Sequence, residues 1–186
     1  MLKRLVFCLV SSFLLVLVHF GASFPAKNAP TPAQYFFILK RLAPQVQRVG
    51  ILLEEDQEDQ TNFLRQIDLA ARANSCKVFV AKIKTLYDVA AQFQTLVSKY
   101  RVQVIWIPET GEILTSPVAQ SYLIRKGMLN RILMIAPDSS WVDRGAGFTL
   151  IYGPRGFQPY ANSNTLRALE ISIPEEMQTK IQFAAN

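Results

Sequence analysis

Short runs of mostly apolar residues recur along this chain and alternate with stretches of helical periodicity. The runs lie at 49–53, 77–81, 102–107, 132–136 and 148–152. Branched apolar residues without regular polar alternation predict strands that are covered on both faces, as in a parallel α/β sheet. The sequence therefore predicts five buried parallel strands.

Between these runs, apolar residues recur three or four positions apart, which is the spacing of amphipathic helices. The predicted helices lie at 32–44, 60–74, 85–99 and 116–127, with a short turn at 140–145. Thr85 followed by Asp88 is a capping-box start, and Ser116 followed by Pro117 is an N-cap with proline in the first turn. These start signals support the helix predictions.

Strands that alternate with helices at a spacing of about 25 residues predict right-handed crossovers and a three-layer α/β sandwich. The simplest doubly wound strand order is the flavodoxin-like 2-1-3-4-5. In that order the loops after Leu53 and Ile107 line one crevice at the carboxyl edge of the sheet, where such sheets bind ligands. Beyond Gly153 the pattern is weaker and predicts a last helix at 160–171 and a terminal segment at 175–183.

The N-terminus has the three-part layout of an export signal. Lys3 and Arg4 precede an uncharged apolar run from Leu5 to Phe20, and small residues follow up to Ser23. The run is short for a membrane span of about 20 residues, so a cleaved signal and a periplasmic protein are predicted, with an uncleaved anchor as the alternative. The predicted organisation is a signal peptide at 1–23, a proline-rich leader at 24–32 and a single α/β domain at 33–186.

Composition excludes several classes of function. Without Lys3 and Arg4, 18 basic residues face 14 acidic ones, and no basic cluster with interleaved aromatic residues suggests a nucleic-acid partner. The only histidine, His19, lies in the predicted signal, so the exported chain has no histidine base, triad or zinc ligand. No GxGxxG motif follows a strand, and we predict no cofactor. Cys76 is then the only cysteine, and we predict a buried one.

Polar residues after the predicted strands are the candidates for a site. Glu54 to Asp59 holds five acids, which suit either a charged helix entrance or a site for a cation. Glu109 and Thr110 follow the third strand, and Asp138, Ser139 and Ser140 follow the fourth. Ligand binding and helix capping explain these residues equally well. A hydrolase would require Glu55 and Glu109 to meet in a closed cleft.

The ordered set of these segments resembles one lobe of the ABC-transporter substrate-binding family, which has the type I periplasmic-binding-protein fold. The resemblance rests on RLAPQVQRVGILL at 41–53, LAARANSCKV at 69–78, VIWIPETGEIL at 104–114 and APDSSWVDRGAGFTLIYG at 136–153. Members of the family are exported, bind a small solute such as an amino acid between two lobes, and deliver it to a membrane permease. The chain departs from the family at Thr110, where an aspartate is usual, and beyond Gly153.

The resemblance implies that the ligand-facing positions are the loops after strands one, three and four. Carried over, these positions are Asp59, Gln60, Glu109, Thr110, Asp138, Ser139 and Ser140. About 163 residues follow Ser23, which is enough for one lobe only. We therefore expect an exported, non-catalytic protein that binds a small polar solute such as an amino acid and is completed by a homodimer, a permease or an envelope receptor subunit. The alternative is an accessory module of a transport or sensory system that no longer binds solute.

Overall fold

A computed structural model describes residues 29–55, 60–154 and 156–185. The predicted signal peptide, most of the leader and Asp59 lie outside these ranges. The strands are β1 Arg48–Glu54, β2 Lys77–Ile83, β3 Val104–Trp106, β4 Leu133–Ile135, β5 Phe148–Gly153, β6 Gly156–Ala161 and β7 Gln182–Phe183. The helices are α1 Pro32–Leu42, α2 Gln60–Ala73, α3 Leu86–Gln94, α4 Glu112–Thr115, α5 Pro117–Leu129, α6 Ser139–Asp143, α7 Ser163–Ala168 and α8 Glu175–Gln178.

All strands belong to one sheet with the order β2-β1-β3-β4-β5-β6-β7. The first five strands are parallel and follow the predicted order 2-1-3-4-5, which is confirmed. β1 is buried at every position after Arg48, because it lies between β2 and β3 and is covered on both faces. At the open edge of the sheet, β2 exposes Lys77, Val80 and Lys82 to solvent.

Helices cover both faces of the sheet and form two apolar layers. On one face, α1 and α2 surround Trp106, whose ring centroid lies 4.7 Å from that of Tyr35 and 6.2 Å from that of Phe63. On the other face, α3, α5 and α6 enclose a second cluster that includes the buried Trp141. The predicted three-layer sandwich is confirmed.

The predicted helix starts are confirmed by their caps. Asp88 accepts a hydrogen bond from the backbone N–H of Thr85 at 2.8 Å, and Ser116 Oγ accepts one from the N–H of Ala119 at 3.2 Å. The helix predicted at 85–99 ends in a π-helical turn, Thr95–Lys99. This turn presses Leu96 against Gly50, where a Cβ would lie 2.9 Å from a leucine methyl.

The region after Gly153 corrects the prediction of five strands and a helix at 160–171. β5 and β6 form an antiparallel hairpin, and β7 pairs with β6, so the sheet has two further strands. The helix begins later, at Ser163, because Asn162 accepts a hydrogen bond from the N–H of Thr165 at 3.0 Å and caps it. Pro159 removes one N–H donor from β6, which obscured the strand pattern. Among the described residues, no helix is long and apolar enough to cross a bilayer.

Candidate functional site

The end of β1 is fastened to the loop after β3 by one carboxylate. Glu54, the last residue of β1, is only 8% exposed. Its Oε1 accepts hydrogen bonds from the N–H groups of Gly111 at 2.9 Å and Leu114 at 2.7 Å, and its Oε2 accepts one from Ile113 at 3.2 Å. These N–H groups lie at the start of α4, where helical bonding leaves them unpaired. We refer to this arrangement as the Glu54 clamp.

Gly111 provides the space that the Glu54 clamp requires. A Cβ at Gly111 would overlap the Glu54 carboxylate, so any other residue would push the carboxylate away. The prediction for the acidic run that begins at Glu54 was a charged helix entrance or a cation site, and it did not include this role. The available signal was a carboxylate that ends a buried strand, together with a glycine in the loop after a neighbouring strand.

Other members of the acidic run are also engaged in structure. Glu55 forms an ion pair with Lys84 at 2.8 Å, which connects the end of β1 to the end of β2. Gln60, a predicted ligand contact, donates a hydrogen bond from Nε2 to the carbonyl oxygen of Glu54 at 2.5 Å. Its side chain therefore connects the first residue of α2 to the last residue of β1. The other predicted contact here, Asp59, lies outside the described residues.

Glu109 and Thr110 lie between β3 and the Glu54 clamp. Glu109 is exposed and Thr110 is half-buried. Within residues 29–55, 60–154 and 156–185, neither side chain has a hydrogen-bond or ion-pair partner. A carboxylate and a hydroxyl at the carboxyl edge are therefore available to a ligand.

The turn after β4 divides into an engaged part and an available part. Asp138 is the N-cap of α6: its Oδ1 accepts hydrogen bonds from the N–H of Ser140 at 2.8 Å and from Ser140 Oγ at 2.6 Å. The prediction that the helical turn begins at Ser140 is therefore off by one position, because the cap is Asp138. The exposed Ser139 has no side-chain partner in the described part of the chain.

Hydrogen bonds behind these loops hold α6 in place. Arg144 Nη1 donates to Gln120 Oε1, and Gln120 Nε2 donates to the carbonyl oxygen of Thr115 at 3.1 Å. On the other side, the Tyr160 hydroxyl donates to Asp143 at 2.6 Å, and this bond raises the pKa of the phenol. The loops after β3 and β4 are therefore cross-braced to the rest of the domain.

Exposed apolar side chains border the same edge. Helices that follow parallel strands begin at the carboxyl edge, so α3 and α5 present their first residues there. Tyr87 is 91% exposed and Val118 is 65% exposed. Nearby, Phe148 at the start of β5 pairs with Ile135 at the end of β4, so the β5–β6 hairpin projects beyond β4. We refer to the exposed side chains of Tyr87 and Val118 as the apolar rim.

The carboxyl edge is open in this single chain. Cavities of about 760, 610, 320 and 330 Å³ lie elsewhere on the described part of the chain, and their linings do not include Gln60, Glu109, Thr110 or residues 138–140. Ligand sites usually bury most of the ligand surface. The described residues of this edge therefore provide groups for one side of a site.

The sequence matches no protein-family model and no curated protein. Solved structures share the fold. An ABC domain in complex with L-Trp from Streptococcus pneumonia is 14% identical with a TM-score of 0.71, and the match covers 83% of this chain and 61% of that one. A conserved domain protein from Vibrio cholerae is 16% identical with a TM-score of 0.72, covering 85% and 61% of the two chains.

A ligand-free, open structure of a substrate-binding protein with adhesive properties from Clostridium difficile is 17% identical with a TM-score of 0.68. The match covers 84% of this chain and 60% of that one. The chain thus spans about three fifths of the length of these structures. The predicted α/β fold is confirmed, because it is shared with these structures over more than four fifths of this chain.

Proposed function

We propose that this protein is an exported, non-catalytic solute-binding lobe whose carboxyl edge provides one side of a site for a small amino-acid-like solute. The observation that carries the proposal is the set of available groups at that edge. Glu109, Thr110 and Ser139 have no partner among the described residues, whereas the neighbouring Gln60 and Asp138 are engaged. The Glu54 clamp and the α6 cap hold the two loops that carry these groups.

The chemistry of the three side chains suits a zwitterion. The Glu109 carboxylate would pair with an ammonium group, and the hydroxyls of Thr110 and Ser139 would donate to a carboxylate. A structure with this fold contains L-Trp, which supports the same class of solute. Such binding requires no metal, cofactor or histidine. We propose that the protein captures the solute in the periplasm and delivers it to a membrane permease.

The proposal is tested by calorimetric titration of residues 24–186 with a panel of amino acids. A bound solute should stabilise the fold, by about 2.7 kcal/mol at 100 times its Kd. Glu109→Gln and Ser139→Ala should each lower the affinity for that solute about tenfold, because the first removes the charge that pairs with the ammonium group and the second removes a hydroxyl donor. Glu175→Gln and Ser121→Ala make the same chemical changes at exposed positions on α8 and α5 and should leave the affinity unchanged. Absence of binding to the whole panel would refute the proposal.

The second part of the proposal concerns how the site is completed. A second copy of the chain or a partner subunit covers the apolar rim and provides the other side of the site. If a second copy does so, solute should raise the dimer fraction in light scattering, and Tyr87→Ser should abolish this rise. Leu69→Ser removes a comparably exposed apolar side chain from α2, at 60% exposure, and is the matched control. If the protein stays monomeric when solute is bound, and Tyr87→Ser leaves the affinity for the solute unchanged, completion of the site by a second copy is excluded.

A second candidate function is an accessory module that has lost solute binding. The observation that favours it is the exposure of the apolar rim at the carboxyl edge. A photo-crosslinking amino acid at position 87 should then form an adduct with a permease or an envelope receptor subunit, whereas the same group at position 69 should not. Crosslinks only between copies of this chain would favour the homodimer, and an absence of adducts at position 87 would contradict the accessory role.

A further inference from the structure

A cleft on the opposite side of the domain from α3 and α5 carries a second candidate site. It lies between α1 and α8, beside the β5–β6 hairpin, and encloses about 610 Å³. We call it the α1–α8 cleft. Its volume falls within the range of about 300 to 1,000 Å³ that is typical of small-molecule sites. It shares no residue with the carboxyl-edge site proposed above.

The interior of the α1–α8 cleft is apolar and aromatic. Met177 is 2% exposed and Pro159 is buried, so the deepest part offers no charged group. The half-buried Phe157 lies beside it and is fixed by edge-on packing against Tyr152, with ring centroids 5.4 Å apart. On the opposite wall Phe37 is 55% exposed. An apolar chain or ring placed between these walls would cover surface that water now contacts.

The rim of the cleft is cationic. Arg41 and Lys180 line it, and among the described residues no aspartate or glutamate does. Neither cation is in an ion pair with a described residue, and the Arg41 guanidinium instead lies 5.1 Å from the centroid of the Phe37 ring. The larger cavity beside α7 differs, because its lining includes both Arg167 and Glu170. The α1–α8 cleft therefore has two cations at its rim, neither of them in an ion pair with a described residue, above an apolar interior.

This combination selects for one class of ligand. A guanidinium presents paired N–H donors that match the two oxygens of a carboxylate, and stacking on Phe37 fixes its plane. Lys180 would add a second positive charge, and the exposed Phe37 ring would pack against the apolar part of the ligand. We propose that the α1–α8 cleft binds a free organic carboxylate that has an apolar chain, with Arg41 as the main contact of the carboxylate.

The test uses residues 24–186 and sodium decanoate below its micelle concentration, with binding measured by calorimetry. One molecule should bind per chain, and Arg41→Gln should weaken binding about tenfold or more, because it removes charge-assisted hydrogen bonds. Lys180→Gln should weaken binding less. Arg48→Gln and Lys82→Gln carry the same changes at exposed positions on β1 and β2, outside the cleft, and should bind as the natural sequence does.

Two further probes distinguish specific binding in the cleft from nonspecific adsorption to an apolar surface. Decanol and decyltrimethylammonium share the apolar chain but lack the anion, and they should bind at least tenfold more weakly than decanoate. Equal binding of decanol, or decanoate binding that is unchanged by Arg41→Gln, would overturn the proposal. It would also fail if phosphatidylglycerol vesicles bound the protein through Arg41 while free decanoate did not, since the cleft would then be a membrane-contact surface. Retained fluorescence of the buried Trp106 and Trp141 would confirm that each variant is folded.

Discussion

Replacing Glu54 with alanine would remove the Glu54 clamp while leaving the chain around it unchanged in sequence. Three backbone N–H groups would lose their acceptor, and one of them, on Leu114, is buried. A hydrogen bond to a charged group contributes about 1.5 to 3 kcal/mol, and a buried N–H without a partner costs about 1 to 3 kcal/mol. Water can reach the N–H groups of Gly111 and Ile113 once the carboxylate is gone, which limits their cost.

We therefore expect Glu54→Ala to lower the free energy of unfolding by about 3 to 5 kcal/mol. This is a large fraction of the roughly 5 to 15 kcal/mol that stabilises a typical domain. Glu54→Gln keeps one oxygen acceptor but turns an amide N–H₂ toward the remaining donors, so we expect about half that loss. Glu112→Ala removes an exposed carboxylate from the same helix, α4, and should cost less than about 1 kcal/mol.

Urea unfolding followed by tryptophan fluorescence measures these differences. The midpoint should fall without a change in the slope m, because the surface exposed on unfolding stays nearly the same. Amide hydrogen exchange at Ile113 and Leu114 should accelerate in Glu54→Ala before exchange elsewhere does. A Glu54→Ala variant within about 1 kcal/mol of the natural sequence, or equal to Glu112→Ala, would refute the clamp as a stabilising element.

The residues Gly111, Asp88 and Cys76 each allow a further test. Gly111→Ala should cost about 1 to 3 kcal/mol in the natural sequence, since its Cβ displaces the Glu54 carboxylate, but little in a Glu54→Ala background; additive costs in a double-mutant cycle would contradict this. The backbone N–H of Lys84 is the main cause that lowers the pKa of Asp88, so Asp88→Asn should lower the melting temperature at pH 7. That difference should persist down to about pH 4 and vanish as the pH falls through the lowered pKa; a difference that is constant down to pH 2 would exclude this linkage. Burial raises the pKa of the Cys76 thiol, so a thiol reagent at pH 8 should react with residues 24–186 much faster in urea than in buffer, and equal rates would show that the thiol is accessible.

The parallel half of the fold was predictable because its signals are local. The strand RVGILL at 48–53 is apolar enough to be buried on both faces, and the caps at Thr85 and Ser116 mark helix starts within three residues of sequence. The β5–β6 hairpin was not predictable in the same way. Strand β6 contains Pro159, which cannot donate a backbone hydrogen bond. The pairing of β5 with β6 also depends on the positive φ of Gly156, +93°.

The candidate site shows a similar division. The sequence identified the loops after β1, β3 and β4, and the fold places these loops at one sheet edge. It did not show which polar groups are already engaged. Glu54 meets its partners 57 to 60 positions along the chain, a separation over which spacing carries no information. The ligand contacts assigned to Glu109, Thr110 and Ser139 stay predictions.

The edge strand β2 also restricts how copies of this protein can associate. β2 offers an unpaired row of backbone donors and acceptors, to which another strand could add. Two copies that joined antiparallel along β2 would bring four lysines, Lys77 and Lys82 of each copy, into one short ribbon, where their like charges repel. Edge-to-edge polymerisation is thereby disfavoured. The positive charge on the edge strand β2 thus favours discrete assembly through another surface over growth of a continuous intermolecular sheet.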